Sequence, residues 1–347
     1  MLFTASEKDI KQAALILKNG GIVAIPTETV YGLAANALDE NAVNKIFKAK
    51  GRPNDNPLIV HISKIEDMDK YAYTNTKAYE LADKLWPGPL TMILPKKRII
   101  PSIVSGGLDT VALRLPSHEI ARKIIEYSGV PLAAPSANIS GRPSPTKAEH
   151  VISDFGNSID GVVDGGCCKF GVESTVISLC GQRPVLLRPG FTTFEQLKEL
   201  LPDIYVSEAV LNILPEDAPV LSPGLKHKHY APKAEAVCVA GLEEKSANYI
   251  NSLYDRQKRQ AVMCFNGEEK FYSRFNVKSY GSPENAETLA KNLFSVLREF
   301  DNENVDIIYI RTLLTEGVGL AVYNRLLRAC NFNVINVGDT DDTFQLI

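Results

Sequence analysis

The 347-residue sequence has no Cys-x-x-Cys pair, no long apolar run and no marked excess of either charge. Its six cysteines (Cys167, Cys168, Cys180, Cys238, Cys264, Cys330) are scattered, and adjacent Cys167 and Cys168 cannot easily share one tetrahedral metal. The thiols therefore read as reduced and zinc-free. No stretch approaches the roughly 20 apolar residues of a membrane span, and the N-terminal MLFTASEKDIKQ has no signal-peptide apolar segment. A cytoplasmic setting without a membrane partner is expected. Lys and Arg number 38 against 41 Asp and Glu, a formal net charge of −3. Proteins held permanently on a nucleic-acid backbone are usually far more basic, which leaves room for only weak or local RNA contact. Also missing are a Gly-x-x-x-x-Gly-Lys-Ser/Thr loop, a dinucleotide fingerprint, a Gly-x-Ser-x-Gly elbow and a His-Glu-x-x-His helix. Any phosphate must then be held by side-chain cations and loop hydroxyls.

What is present is an ordinary globular composition, 45% apolar and 23% charged, over a length that favours two domains. Ser6, the spaced apolar residues Ile10, Ala13, Ala14 and Leu17, and Gly20 mark a capped first helix. The apolar run Ile22 to Ile25 then ends at Pro26 and gives way to Thr27, Glu28, Thr29 and Tyr31, as a buried strand does on entering a polar loop. Val43, Ile46 and Phe47 fall at helical spacing, so a helix is predicted over 41–49, with Lys50 and Arg52 flanking Gly51 beyond it. Such a cation pair either caps the helix dipole in solvent or holds an anion. LIVHI (58–62) reads as a strand whose His61 is either a core histidine or a ligand contact. DTVALRL (109–115) reads as a strand that places Arg114 among apolar neighbours, where it needs an internal carboxylate or a pocket. A strand over 131–134 leads into PSANISGRPSPT, and strands over 174–179 and 185–188 adjoin GVEST and LLRPG. Lys50, Arg52, Arg114, Arg142 and Arg188 all belong to or adjoin strand-end loops, and their convergence would suit a polyphosphate or a carboxylate.

Residues 1–202 thus read as a mixed α/β twisted-sheet domain. Residues 203–233, with Pro215, Pro219, Pro223, Gly224 and Pro232, read as a linker containing LSPGLKHKHYAPKAE. From 234 to 347 the alternation of strands and helices implies a small Rossmann-like three-layer α/β domain with a mostly parallel sheet.

These motifs are recognisable together. PTETVYGL, Lys50-x-Arg52 with Ser136-x-Asn138, RPNDNPLIVHI, WPGPLT, APSANISGRPSPT, GVESTV, LLRPG and SPGLKHKHYAP resemble the threonylcarbamoyl-AMP synthase family. The resemblance is to its two-domain members, a YrdC-like catalytic domain plus a C-terminal domain, and it covers essentially the whole chain. His227 stands where the family usually has an aromatic.

The resemblance implies a nucleotidyltransferase that joins L-threonine, bicarbonate and ATP into threonylcarbamoyl-adenylate, releasing pyrophosphate, with Mg²⁺. The product would feed a downstream threonylcarbamoyl transferase complex that modifies tRNA. By matching motifs it implies ATP binding by Lys50, Arg52, Asn56, Thr110, Ser136, Asn138, Ser144 and Arg188, with Tyr230 reaching over the nucleotide as part of a lid. Lys50 and Arg52 would stabilise transition-state charge. Threonine would meet Thr29, His61, Arg114, Ala134 and Ser174. Two alternatives are a double-stranded RNA or tRNA-binding module without catalysis and a carbamoyl-transfer enzyme sharing the YrdC-like domain. A salt titration separates the first, and the absence of zinc-finger and acylphosphatase-like segments counts against the second.

Overall fold

The computed structural model describes residues 1–213, 229–313 and 316–338. The chain divides into two compact units, one of Met1–Ser140 with Ser144–His227 and one of Gly141–Pro143 with Lys228–Ile347. Residues 214–228 of the expected connector over 203–233 lie outside the described residues. Among the described residues no helix is long and apolar enough to cross a membrane.

In the first unit the strands are β1 (Leu2–Phe3), β2 (Val23–Ile25), β3 (Gly32–Asn36), β4 (Ile59–His61), β5 (Leu90–Pro95), β6 (Thr110–Arg114), β7 (Leu132–Ala133), β8 (Gly161–Val163), β9 (Thr175–Ser178), β10 (Val185–Arg188) and β11 (Tyr205–Val206). They form one mixed sheet in the order β1-β8-β2-β3-β7-β4-β6-β5-β9-β10-β11. Its helices are α1 (Glu7–Lys18), α2 (Glu40–Lys50), α3 (Met68–Tyr71), α4 (Thr76–Leu85), α5 (Glu119–Ser128), α6 (Ala148–Phe155) and α7 (Phe194–Leu200).

The strand period of two sorts side chains between the faces. One face carries Val60, Met92, Leu113, Ile177 and Leu186 into the main core, where α2, α4, α6 and α7 pack on it. On the other face α1 and α5 cover Val23, Ile25, Ala34, Leu132 and Val163. Over β4, β6, β5, β9 and β10 that second face keeps only a small apolar cluster of Ile59, Ile93, Ala112, Val176 and Leu187. The sheet therefore has one end whose second face lies under α1 and α5 and another whose second face carries this small cluster.

α2 is set by its caps. Asp39 accepts from the backbone N–H groups of Asn41 and Ala42, and Gly51 closes the helix at φ 60°, a left-handed conformation that glycine adopts at least cost. The helix runs one residue further than its apolar spacing indicates, so Lys50 is its last residue rather than the first beyond it.

In the second unit, β12 (Glu235–Ala240), β13 (Gln260–Cys264), β14 (Asn276–Ser279), β15 (Ile307–Thr312) and β16 (Val334–Asn336) form a parallel sheet ordered β14-β13-β15-β12-β16. α8 (Glu243–Ser252) packs Ala247 and Ile250 against Val237 and Val239 of β12. α10 (Val318–Ala329), which packs with α9 (Ala286–Asn302), ends at Cys330, against Cys238 on the opposite face of β12. The three layers expected from the strand–helix alternation follow.

Removing the α2 cap by Asp39→Ala is expected to cost about 1 kcal/mol, read as a lower denaturation midpoint at unchanged denaturant sensitivity. A midpoint equal to that of the unaltered protein would mean that Asp39 does not hold the helix start.

Candidate functional site

The second face of β4–β10 and the loops at its rim gather most of the polar residues singled out from the sequence. On β6 the alternation puts Thr110, Ala112 and Arg114 on this face, and on the neighbouring β4 it puts Ile59 and His61 there, with His61 in register with Arg114. β5 contributes Thr91, whose hydroxyl lies 2.8 Å from that of Ser174 just before β9. β10 contributes Arg188 through a register shift against β9 between Leu186 and Arg188. The shift lets Arg188 turn to the same side as Leu187, so that its guanidinium donates to the Ser174 carbonyl at 3.0 Å and hydroxyl at 3.2 Å.

Backbone hydrogen bonds draw three loops over the rim of this face. Phe170 and Gly171 donate to the carbonyls of Glu28 and Thr29 (2.9 and 3.1 Å), tying the loop before β9 to the loop after β2. Tyr31 donates to Pro145 at 2.9 Å and accepts from Ala137 at 2.8 Å, tying the same loop to the segment after β7 that contains Ala134, Ser136, Asn138 and Ser144. The Ser144 hydroxyl in turn donates to the Glu173 carboxylate.

Lys50 enters from the end of α2 and is almost fully buried, at 2% exposure. Its ammonium donates to the carbonyl of Ser136 at 2.5 Å and to that of Asn138. A solvated helix cap, one of the two readings open in the sequence, is thereby ruled out. Arg52, also buried, donates to the carbonyls of Asn56 and Pro57 at 3.4 and 3.2 Å, and the Ser136 hydroxyl donates to Asn138 Oδ1 at 2.6 Å. Asn56 is buried beside them, with its Oδ1 unbonded within the protein.

Arg114 has a different partner. Its guanidinium donates to Glu28 Oε1 at 2.6 Å and to Thr29 Oγ1 at 3.0 Å, with both side chains of the ion pair only 4% exposed. Of the two explanations for an arginine in an apolar strand, the internal carboxylate is present. Burial alone pushes the Glu28 carboxyl up, but the charge and hydrogen bond of Arg114 outweigh it and hold the group below its ordinary value. His61 is fully enclosed. Burial, reinforced by the adjacent Arg114 charge, pushes its imidazole down to about 3, so it stays neutral with Nδ1 unbonded within the protein. Burial raises the nearby Cys168 thiol to about 12, so it remains a thiol and is not a nucleophile at neutral pH.

Of the five arginines and lysines, the structure puts Arg114 and Arg188 on this face with His61 and Ser174, while Lys50 and Arg52 are held by carbonyls of the loops that follow β7 and precede β4. Thr110 sits on the same face at the opposite end of β6 from Arg114. Arg142 belongs to the second unit, and so does Tyr230. Tyr230 is buried at φ 63°, with its ring 5.3 Å from Phe294 and 5.6 Å from the Arg325 guanidinium. Residues 214–228 of the expected lid segment, including His227, fall outside the described residues. Sequence reasoning missed Glu28, Thr91 and Glu173. Glu28 and Glu173 sat unassigned in PTETVYGL and GVESTV, and Thr91 was hidden in the apolar run LTMIL.

Because His61 takes up a proton in the unfolded chain near its ordinary value of 6.5 but only at about 3 in the folded protein, acidification across that window costs stability. The loss approaches about 1.4 kcal/mol per pH unit. Trp86, the only tryptophan, is buried in the first unit and reports its unfolding. His61→Gln is expected to flatten the decline between pH 6.5 and 4 in urea titrations followed by Trp86 fluorescence. An unchanged slope would show that His61 is charged, or solvated, in the folded state.

Two family models match the chain, one described as "Telomere recombination" over residues 15–190 and one described as "Threonylcarbamoyl-AMP synthase, C-terminal domain" over residues 192–331. A threonylcarbamoyl-AMP synthase of Pyrococcus abyssi is 45% identical over 95% of this chain and 96% of its own length. One of Bacillus subtilis is 44% identical over 96% of each. The crystal structure of P. abyssi Sua5 complexed with L-threonine superposes with a TM-score of 0.91 at 44% identity, covering 97% of this chain and 99% of that one. With both halves matched in order and near-complete coverage of full-length relatives, the chain belongs to the threonylcarbamoyl-AMP synthase family.

Proposed function

We propose that the chain condenses L-threonine, bicarbonate and ATP to threonylcarbamoyl-adenylate and pyrophosphate on the second face of β4–β10. One observation carries the reading. Buried Arg114, Arg188, His61 and Ser174 share a sheet face with a small apolar cluster, and Lys50 and Arg52 are buried against the adjoining loops, a setting that suits the anions of this reaction. The threonine complex of the P. abyssi relative supports the amino-acid half.

The chemistry explains the enclosure. The threonine amine attacks the bicarbonate carbon, water leaves, and the resulting carbamate oxygen attacks the α-phosphorus as the bond to pyrophosphate breaks. Carbamates decompose readily in water, so a dry floor of Ile59, Ile93, Ala112, Val176 and Leu187 protects the intermediate. No covalent nucleophile is needed, in keeping with the thiol state of Cys168.

Arg114, aimed by Glu28 and Thr29, meets the threonine carboxylate with its remaining N–H groups. Neutral His61 accepts or donates a hydrogen bond beside it without competing as a charge, and the Ala134 carbonyl and Ser174 hydroxyl complete the amino-acid pocket. Lys50, Arg52, Asn56, Thr110, Ser136, Asn138, Ser144 and Arg188 hold ATP. Lys50 and Arg52 balance charge on the departing pyrophosphate.

Among the described residues no group of three His, Cys, Asp or Glu side chains is placed to hold a metal. Mg²⁺ would be held mainly by the triphosphate, where it screens phosphate charge. The formal charge of −3 fits a product handed to a threonylcarbamoyl transferase acting on tRNA in the cytoplasm better than tight tRNA binding by this chain.

The purified protein is expected to release pyrophosphate from ATP only when both threonine and bicarbonate are present. Lys50→Ala and Arg52→Ala should each lower kcat by about 10²-fold. Pyrophosphate release independent of threonine would refute the reading, and near-normal turnover in both variants would remove the two cations from the chemistry.

A further inference from the structure

The chain leaves the first unit at Ser140, spends three residues in the second, and re-enters the first at Ser144. Gly141, Arg142 and Pro143 thereby interrupt the loop that holds Asn138 on one side and Ser144 on the other. Gly141 has φ 90°, a turn that a side-chain-bearing residue adopts only under strain. Within the second unit these three residues are held at both ends. The Ala231 N–H donates to the Gly141 carbonyl at 2.9 Å, and the Arg298 guanidinium donates to the Pro143 carbonyl at 2.6 Å.

Arg298 and Asp301 lie one turn apart on α9, so they share a helix face. Asp301 accepts from the Lys233 backbone N–H at 2.7 Å, and the charges of Lys233, Arg298 and Arg142 all act on its carboxyl. α9 itself is firmly seated, with Leu289, Leu293, Phe294, Leu297 and Phe300 buried. A buried arginine on a well-seated helix thus holds the middle of a loop whose two flanks carry Asn138 and Ser144.

We propose that Arg298 is a positioning residue for the nucleotide loop. By clamping the Pro143 carbonyl it fixes the conformation of 138–144, and through the covalent chain it sets where the Asn138 and Ser144 side chains stand. This gives the C-terminal unit a part in ATP binding that is separate from any lid. The ATP part of the inference rests on the proposed synthase reading. The anchoring part does not.

The test uses the full chain with Arg298→Ala and Arg298→Lys. Hydrogen–deuterium exchange of the unliganded protein should show amides in 136–146 exchanging about tenfold faster in Arg298→Ala, the weight of one charge-assisted hydrogen bond. β4 and β6 in the first unit and β12 and β15 in the second should be unchanged, with Arg298→Lys intermediate because it keeps a donor and a charge. In steady state, KM for ATP should rise by about tenfold in Arg298→Ala while KM for threonine stays within about twofold. Unchanged exchange in 136–146, or a rise spread over the whole second unit, would overturn the anchor. A rise in KM for threonine as large as that for ATP would overturn the assignment to the nucleotide loop. If the unaltered protein released pyrophosphate without threonine, the synthase reading would fall while the exchange result still decided the anchor.

Discussion

The buried ion pair between Arg114 and Glu28 is the constraint on which the rest of the site depends. Taking two charges out of water is costly, and a pair 2.6 Å apart offsets that cost only when its other hydrogen bonds are made as well. Thr29 takes a second guanidinium N–H, and the His118 backbone N–H reaches the far carboxylate oxygen of Glu28 at 3.3 Å. The loop after β2 is therefore fixed at two successive residues against a strand 85 positions away. The Pro145 carbonyl, together with the backbone N–H groups of Ala137, Phe170 and Gly171, then builds upon that fixed edge. Such a pair is weak as a source of stability. Its value is that it leaves the loop one conformation.

The sheet supplies the second half of the arrangement. A strand that buries one face in a large core and leaves the other to loops can carry polar groups on alternate positions without disturbing its packing. β6 does this with Leu113 on the core side and Arg114 beside it on the other, and β5 does the same with Met92 and Thr91. The helices α1 and α5 cover the other end of the same face, so the cleft is bounded where their apolar residues begin. The cations differ in how they are held. Arg114 is paired with the Glu28 carboxylate, and the contacts of Lys50, Arg52 and Arg188 include backbone carbonyls.

Much of the fold was legible because local signals agreed with global ones. Ser6 capped its helix as expected, and β10 fell on Val185–Arg188. β3 was not read, because GLAAN is built of small residues with little strand preference and owes its conformation to pairing with β2 and β7. The short strand β14 at the edge of the second sheet, NVKS, was missed for a related reason, since one neighbour rather than its own pattern holds it. The site was legible as residue types but not as partners. Arg114 announced that it needed an acid or a pocket, yet nothing local pointed to Glu28. The register shift that turns Arg188 toward Ser174 has no sequence signature, and the passage of Gly141–Pro143 into the second unit reads in sequence as an ordinary turn.

The central claim is that amino acid and nucleotide lie side by side on the second face of β4–β10. A crystal structure of the protein with L-threonine and a non-hydrolysable ATP analogue tests it most directly. The account predicts the threonine carboxylate on Arg114, the triphosphate among Lys50, Arg52 and Arg188, and the threonine amine turned toward the α-phosphate across the floor of Ile59 and Ala112. Ligands bound on the helix-covered face of the sheet, or threonine and nucleotide in separate cavities, would contradict it.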